Sequence, residues 1–515
     1  MSSHYGILLH VIFPPKFESL SNEQRKLQGK FQWQRGHGAF SAIFQKGDRS
    51  LKDLSFLGLA SRAIGCRRFA TGSLLGLAVL CAPASGDDAA TVSFRSDIAP
   101  ILLESCLACH GPKKAEGGYR VDTYDELLKA GDSGELPIAA SLDHVSELVR
   151  RIISDDESER MPAENDALPP AQVQLIKTWV AAGGKFDGKD SGLSLSLVMP
   201  PVRYADPPEV YSQAVPITAT TFSPDGKQIV TSGYHELAIW NTEDATLVRR
   251  IQNIGQRVFA LAFSSDGQTL AVGCGQPGRS GEVRLVDFNS GDVKEVIART
   301  NDVVLDLAYR PGTNDLAIAS ADSTIRIINT ETLKEIRAFA SHADWVTAVA
   351  WSDDGTRLAS ASRDKSVKVY DGTTGDLLSS YLGHGAAVRG VSILADSKQV
   401  VSVGADNKLH RWNIEGAKKV AEVGTGGEGS KIVRSGTNLW VPCSDKRLLQ
   451  IDLTSNKISQ QYSGHSDWVL TACFQPSTTT DGEESHSIAS GSFDGEVRLW
   501  NIADAAVIRQ WVAKP

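Results

Sequence analysis

Short apolar runs separated by polar turns fill residues 211–515. They end at Ala238-Ile239-Trp240-Asn241, Arg284-Leu285-Val286-Asp287, Arg326-Ile327-Ile328-Asn329, Lys368-Val369-Tyr370-Asp371, His410-Arg411-Trp412-Asn413, Leu449-Gln450-Ile451-Asp452 and Arg498-Leu499-Trp500-Asn501. The steps from one end to the next are 46, 42, 42, 42, 39 and 49 residues. Runs this short predict strands, and the recurring period predicts seven copies of one all-β unit. Each unit also carries an inner strand of the type Leu358-Ala359-Ser360-Ala361-Ser362. A turn aspartate follows at Asp322, Asp364, Asp406, Asp445 and Asp494, while the first two units lack one. His342, His384 and His465 stand just ahead of the first strand of a unit.

The pattern changes upstream. Phe94, Ile98, Ile101 and Leu102 recur at helical spacing. Pro169-Pro170 opens a second helix, in the position proline tolerates. Val173, Ile176, Trp179 and Val180 form its apolar stripe, and Gly183-Gly184 ends it. Between the two patterns, residues 187–210 hold Met199-Pro200-Pro201 and Pro207-Pro208 and read as a linker. The expected organisation is an N-terminal extension with a signal peptide over 1–84, a helical domain over 90–186, a linker over 187–210 and the repeats over 211–515.

The helical domain carries Cys106-Leu107-Ala108-Cys109-His110. Two thiols three positions apart with an imidazole next to them form the attachment signature of a c-type haem. Each sulfur can bond one vinyl group of the porphyrin, and His110 can turn onto the iron. A structural zinc site needs four protein ligands, and no second Cys-x-x-Cys accompanies this one. For the sixth iron ligand the chain has three methionines, Met1, Met161 and Met199, and the domain has His110 and His144. Met161 is the expected ligand, because Pro162 stiffens the loop that carries it. His144 and an open position are the alternatives.

Charge refines this picture. The net charge is −8, but residues 1–84 hold 11 basic and 4 acidic residues, so the remainder carries −15. That argues against a nucleic-acid partner. Residues 85–190 hold 20 acidic and 11 basic residues, a surplus that reads as a solvated face or as steering towards a positively charged redox partner. Arg62, Arg67 and Arg68 precede an apolar run from Ser73 to Cys81 and the cleavage motif Ala82-Pro83-Ala84. Cleavage after Ala84 is expected, by the ordinary secretory route. The run is too short to span a bilayer stably, so no stable transmembrane span is expected in the mature chain. Residues 1–60 precede a complete signal and read as the product of a start codon placed upstream; a real cytoplasmic extension with an uncleaved anchor is the alternative. Cys274, Cys443 and Cys473 lie in apolar strands and are expected to be buried free thiols. His235, His410 and His486 are scattered over three units without ligand-like spacing, so no second metal is expected in the repeats.

The run from Phe94 to Gly184 resembles the planctomycete-type cytochrome c domain. The resemblance rests on Asp97-Ile98-Ala99-Pro100-Ile101-Leu102, Cys106 to Gly111, Gly117-Gly118-Tyr119-Arg120-Val121-Asp122, Ser146-Glu147-Leu148, Met161-Pro162 and Trp179-Val180-Ala181-Ala182-Gly183. It implies one haem c held covalently by Cys106 and Cys109, with His110 and Met161 as axial ligands. Residues 211–515 resemble the WD40 family, although no unit has a true Trp-Asp pair. There the repeated His and Asp are structural, pinning turns through buried hydrogen bonds. The implied fold class is multidomain: a small all-α, class I-like cytochrome c domain followed by an all-β, seven-bladed propeller. The implied function is single-electron transfer by an exported c-type cytochrome, periplasmic or on the cell-surface side of a bacterial inner membrane. The propeller would dock a redox partner such as a dehydrogenase. Two other readings stay open. One is an enzyme in which the propeller or an open haem carries reductase or peroxidase chemistry; the other is a haem-based redox sensor scaffold.

Overall fold

The computed structural model describes residues 92–112, 114–139, 146–163, 166–340, 342–476 and 486–515. The expected signal segment and His144 lie outside the described residues.

A π-helical turn, Phe94–Ile98, runs directly into helix α1, Ala99–Ser105. The Ser93 side chain accepts from the Ser96 amide at 3.0 Å, and the Asp97 carboxylate accepts from the Ser93 amide at 2.8 Å. Together they satisfy first-turn donors that would otherwise lack partners. Helices α2 (Tyr124–Leu127), α3 (Glu147–Ile152) and α4 (Pro170–Ala181) follow. Helix α4 stops at Gly183 and Gly184, whose φ angles are +94° and +58°. A Cβ on Gly184 would also stand 2.6 Å from Ile138 Cγ2, so only glycine fits this end. Phe94, Ile98, Leu102, Ile176 and Trp179 are buried in one core. Phe94 sits 5.1 Å from the Tyr124 ring and 5.4 Å from the Trp179 ring. The Trp179 indole donates to the Lys185 carbonyl at 2.9 Å, which satisfies its one buried polar atom.

The stretch expected as a linker does more than connect. It forms a further helix, α5 (Leu195–Val198), which buries Leu195 and Val198 in the same core. Beyond it the chain is gripped by arginines of the neighbouring sheets. Arg299 donates to the carbonyls of Ser196 and, at 3.0 Å, Pro200. Arg284 donates to Val202 at 2.7 Å, and Arg250 donates to Pro208 at 2.7 Å and Glu209 at 3.0 Å. An irregular chain leaves carbonyls without partners, and a guanidinium fork can satisfy several at once.

The repeats form a β-propeller of seven four-stranded antiparallel sheets: 220–251 (β1–β4), 257–300 (β5–β8), 304–339 (β9–β12), 346–381 (β13–β16), 388–424 (β17–β20), 433–463 (β21–β24) and 469–512 (β25–β28). Within each blade the strands pair in chain order. The third strands end at Asn241, Asp287, Asn329, Asp371, Asn413, Asp452 and Asn501, the residues at which the apolar runs of the sequence stop. Second strands lie between neighbouring blades and are buried on both faces, so they read as unbroken small or apolar runs, as in Arg357–Ser362. Fourth strands face solvent, and Val507–Val512 is largely exposed. All four strands of the first and last blades are consecutive in sequence, so no strand is exchanged between them. Side-chain packing and a backbone bond close the ring instead: Ile217 and Trp240 pack with Val497, and the Ile217 amide donates to the Ser492 carbonyl at 3.0 Å. Cys274 and Cys443 are fully buried thiols, Cys473 is half-buried, and all three are free. Among the described residues, no helix is long and apolar enough to cross a membrane.

Candidate functional site

The chain turns sharply where α1 ends. The Cys106 amide still donates to Leu102 at 3.0 Å, and the Cys109 and His110 amides both donate back to the Cys106 carbonyl, at 3.2 and 3.0 Å. This single turn brings both sulfurs and the imidazole to one wall. His110 Nδ1 lies 3.3 Å from the Tyr119 carbonyl. That contact assigns the ring proton to Nδ1 and leaves the Nε2 lone pair free. The Tyr119 hydroxyl in turn donates to the Leu127 carbonyl at 3.1 Å, so α2 steadies the carbonyl that orients His110.

Met161 reaches the same space from the other side. Its amide donates to the Arg151 carbonyl at 3.0 Å. Arg150 of α3 bonds Glu147 at 2.7 Å and Glu159 at 2.6 Å, and Arg151 bonds Glu147 at 2.8 Å. The Met161 loop is therefore docked on α3 by charge. Hydrogen bonding from Arg150 is the main cause that brings the Glu147 carboxyl down to about 2, despite its partial burial.

Between these walls lies a cavity of about 580 Å³, and Cys106, Cys109, His110 and Met161 all line it. That volume is in the range of a cofactor pocket. Met199 is not among its lining residues; it packs on the helical core. Burial, with the neighbouring Cys109 sulfur, pushes the Cys106 thiol up to about 11. A sulfur held neutral suits a thioether and opposes the thiolate that a metal would need. The rim is acidic: Glu104, Glu116, Asp132, Glu135 and Glu147 contribute, and among the described lining residues Arg151 supplies the one Lys or Arg side chain. The donor set, the volume and the neutral Cys106 sulfur fit a haem c.

The sequence did not single out the Tyr119 carbonyl or the Glu147–Arg150–Glu159 clamp. The spacing of Glu147 from Arg150 and Arg151, three and four residues along a helix, is the signal that could have found the clamp.

In the propeller, the repeated histidines are tied into hydrogen bonds. His342 bridges Asp364 at 2.9 Å and Ser360 at 2.7 Å, and His384 bridges Asp406 at 2.9 Å and Ser402 at 2.8 Å. His465 bonds Ser490 at 2.7 Å, as does the Trp500 indole at 2.8 Å. The first two blades, which lack the turn aspartate, use buried glutamates. Glu236 binds Arg250 at 2.5 Å and Tyr211 at 2.5 Å, and Glu282 binds Arg284 at 2.6 Å.

Residues 106–165 match the family model described as Planctomycete cytochrome C. Residues 333–371, 375–413 and 456–501 match the WD domain, G-beta repeat. The chain joins a planctomycete-type cytochrome c domain to a WD40 propeller. Its curated relatives align with the propeller type only in part. A stretch of 143 residues is 27% identical to the WD repeat-containing protein WDS homolog of Arabidopsis thaliana, covering 27% of each chain. Another comparison gives 25% identity over 142 residues to the Transcriptional corepressor LEUNIG_HOMOLOG of Arabidopsis thaliana, covering 27% of this chain and 17% of that one. The Intraflagellar transport protein 122 homolog of Mus musculus is 27% identical over 135 residues, covering 26% and 11%. The chain therefore spans about a quarter or less of the length of these relatives.

Proposed function

We propose that the cytochrome domain holds one haem c on Cys106 and Cys109, with His110 and Met161 as axial ligands, and that the protein is a single-electron carrier whose propeller docks its redox partner. The observation that carries this reading is the cavity of about 580 Å³ on which all four residues meet. Bound there, haem supplies a reversible one-electron couple, and thioether ligation favours the ferrous state.

The chain's own residues do the rest. The Tyr119 carbonyl keeps a proton on His110 Nδ1, so that Nε2 is a lone-pair donor facing the cavity. Arg150 and Arg151 hold the Met161 loop in place through Glu147 and Glu159. The packed core of Phe94, Leu102, Ile176 and Trp179 shields the domain from water. The acidic rim favours a partner with a basic docking face. An all-α, class I-like cytochrome fold and export across a bacterial inner membrane, with cleavage after Ala84, belong to the same reading.

The test is the absorption spectrum of the full chain expressed with cytochrome c maturation, taken ferric, reduced, and reduced under carbon monoxide. The expected result is a low-spin spectrum with a far-red ferric methionine–iron band and no carbon monoxide shift. A Met161→Ala variant should then bind carbon monoxide and have a lower potential. A high-spin, carbon monoxide-reactive wild type would overturn electron transfer through a closed iron and favour substrate chemistry at the haem.

A further inference from the structure

A haem in the cavity adds negative charge to walls that are already acidic. The porphyrin carries two propionates on the edge opposite the vinyl groups that Cys106 and Cys109 would bond, and carboxyls of this kind are ionised at neutral pH. The lining holds five carboxylates of its own, Glu104, Glu116, Asp132, Glu135 and Glu147. Against them stands Arg151, the one Lys or Arg side chain among the described lining residues. A further anion in such a place is unfavourable unless a cation meets it.

The two arginines of α3 differ in what they have left to offer. Arg150 is fully engaged. Its Nε and Nη2 hold both oxygens of Glu147, at 2.7 and 2.9 Å, and its Nη1 holds Glu159 at 2.6 Å. It is not among the described lining residues. Arg151 lines the cavity and is engaged on one side only. Its Nε donates to Glu147 Oε1 at 2.8 Å, and its Nη1 reaches the Glu159 carbonyl at 3.4 Å. Its Nη2 makes no hydrogen bond among the described residues. Leu148 and Ile152, its neighbours on the helix, are buried and line the same cavity. A guanidinium anchored at one side, open at the other and flanked by apolar walls is matched to a carboxylate.

We propose that Arg151 is the propionate partner of this site, a positioning residue that pairs one propionate through the open side of its guanidinium. The proposal rests on the haem reading above. Glu147 holds the fork in one orientation, so less side-chain freedom is lost when the pair forms. The same residue also serves the axial ligand: the Arg151 carbonyl accepts the Met161 amide at 3.0 Å. Seating of the charged edge of the cofactor and docking of the Met161 loop are thereby tied to one turn of α3.

The test uses the full chain expressed with cytochrome c maturation, read by resonance Raman spectroscopy and by redox titration. The bending mode of a haem propionate reports the hydrogen bonds that the propionate accepts. In Arg151→Gln this mode should move to lower frequency and the potential should fall, because a cation beside the haem favours the ferrous state, which has one positive charge fewer. Arg151→Lys keeps the charge and should restore the potential. Glu147→Gln breaks the same clamp but removes a negative charge, so it should raise the potential, whereas a loosened Met161 loop would lower it in both variants. Comparing Met161→Ala with Met161→Ala/Arg151→Gln repeats the Raman measurement where displacement of the loop cannot contribute. A propionate mode unmoved by the loss of Arg151 in either background, or a potential that falls in Arg151→Gln and Glu147→Gln alike, would overturn the proposal. A wild type without covalent haem absorbance would instead overturn the haem reading itself.

Discussion

In the propeller, His342 and His384 have both ring nitrogens bonded, whereas in the cytochrome domain four side chains that carry lone pairs line a cavity. His342 spends both nitrogens, on Asp364 and Ser360. His110 spends one, on Tyr119, and the other faces open space with Cys106, Cys109 and Met161. The propeller can be completed by its own sequence. On the proposed function, the cytochrome domain is built around a haem that the sequence does not encode. The difference separates His342, with both nitrogens bonded, from His110, with one nitrogen kept free.

The sharpest way to break this contrast is to remove the attachment point. Cys106→Ser combined with Cys109→Ser should abolish covalent haem entirely, read as absorbance after denaturation and extraction, while the propeller unfolding transition in calorimetry stays where it was. A propeller transition that shifts with haem loss would mean the two halves are filled by one device. Next in size, Arg284→Ala should cost about 3–5 kcal/mol in urea unfolding, because it leaves Glu282 buried without its cation. It also frees the Val202 carbonyl, so an effect confined to under about 1 kcal/mol would show that this part of the propeller does not depend on internal pairing.

Acid should separate the halves more gently. Burial is the main cause that lowers His342 from 6.5 and brings His465 to about 4. The unfolded chain binds these protons at higher pH than the native one does. Their contribution to stability is therefore complete above about 6.5 and is lost as pH falls towards 4. The propeller melting temperature should fall over that interval, and His342→Gln or His465→Gln should flatten the slope. The smallest effect belongs to Lys189→Ala. The Lys189–Glu295 pair at 2.6 Å is exposed, and its loss should change unfolding by less than about 1 kcal/mol.

The repeat was legible because a blade is a local object. Its strands pair with their sequence neighbours, and the apolar runs that ended at Trp240-Asn241 or Trp500-Asn501 needed only short turns to become hairpins. The Cys106–His110 signature was legible for the same reason, being one turn of chain. What could not be read joins distant segments. Leu195 and Val198 looked like linker because nothing in their neighbourhood says that α1 and the helical core bury them. The arginine grips pair side chains with backbone carbonyls, and a carbonyl has no letter in the sequence. His410 looked isolated because the residues that flank it, His384, Asp406 and Glu422, come from a preceding loop, a turn and the next strand.

On the proposed function, the gripped segment from Ser196 to Glu209 has a mechanical meaning. A floppy tether would let the cavity sample many distances from whatever the propeller holds, and transfer rate falls steeply with separation. Carbonyls clamped by Arg250, Arg284 and Arg299 turn the tether into a bracket with one length. Under that proposal the protein works as a jig: landing on the propeller fixes the gap an electron must cross. Inserting a few residues ahead of Arg203 would leave docking strength alone and slow the crossing.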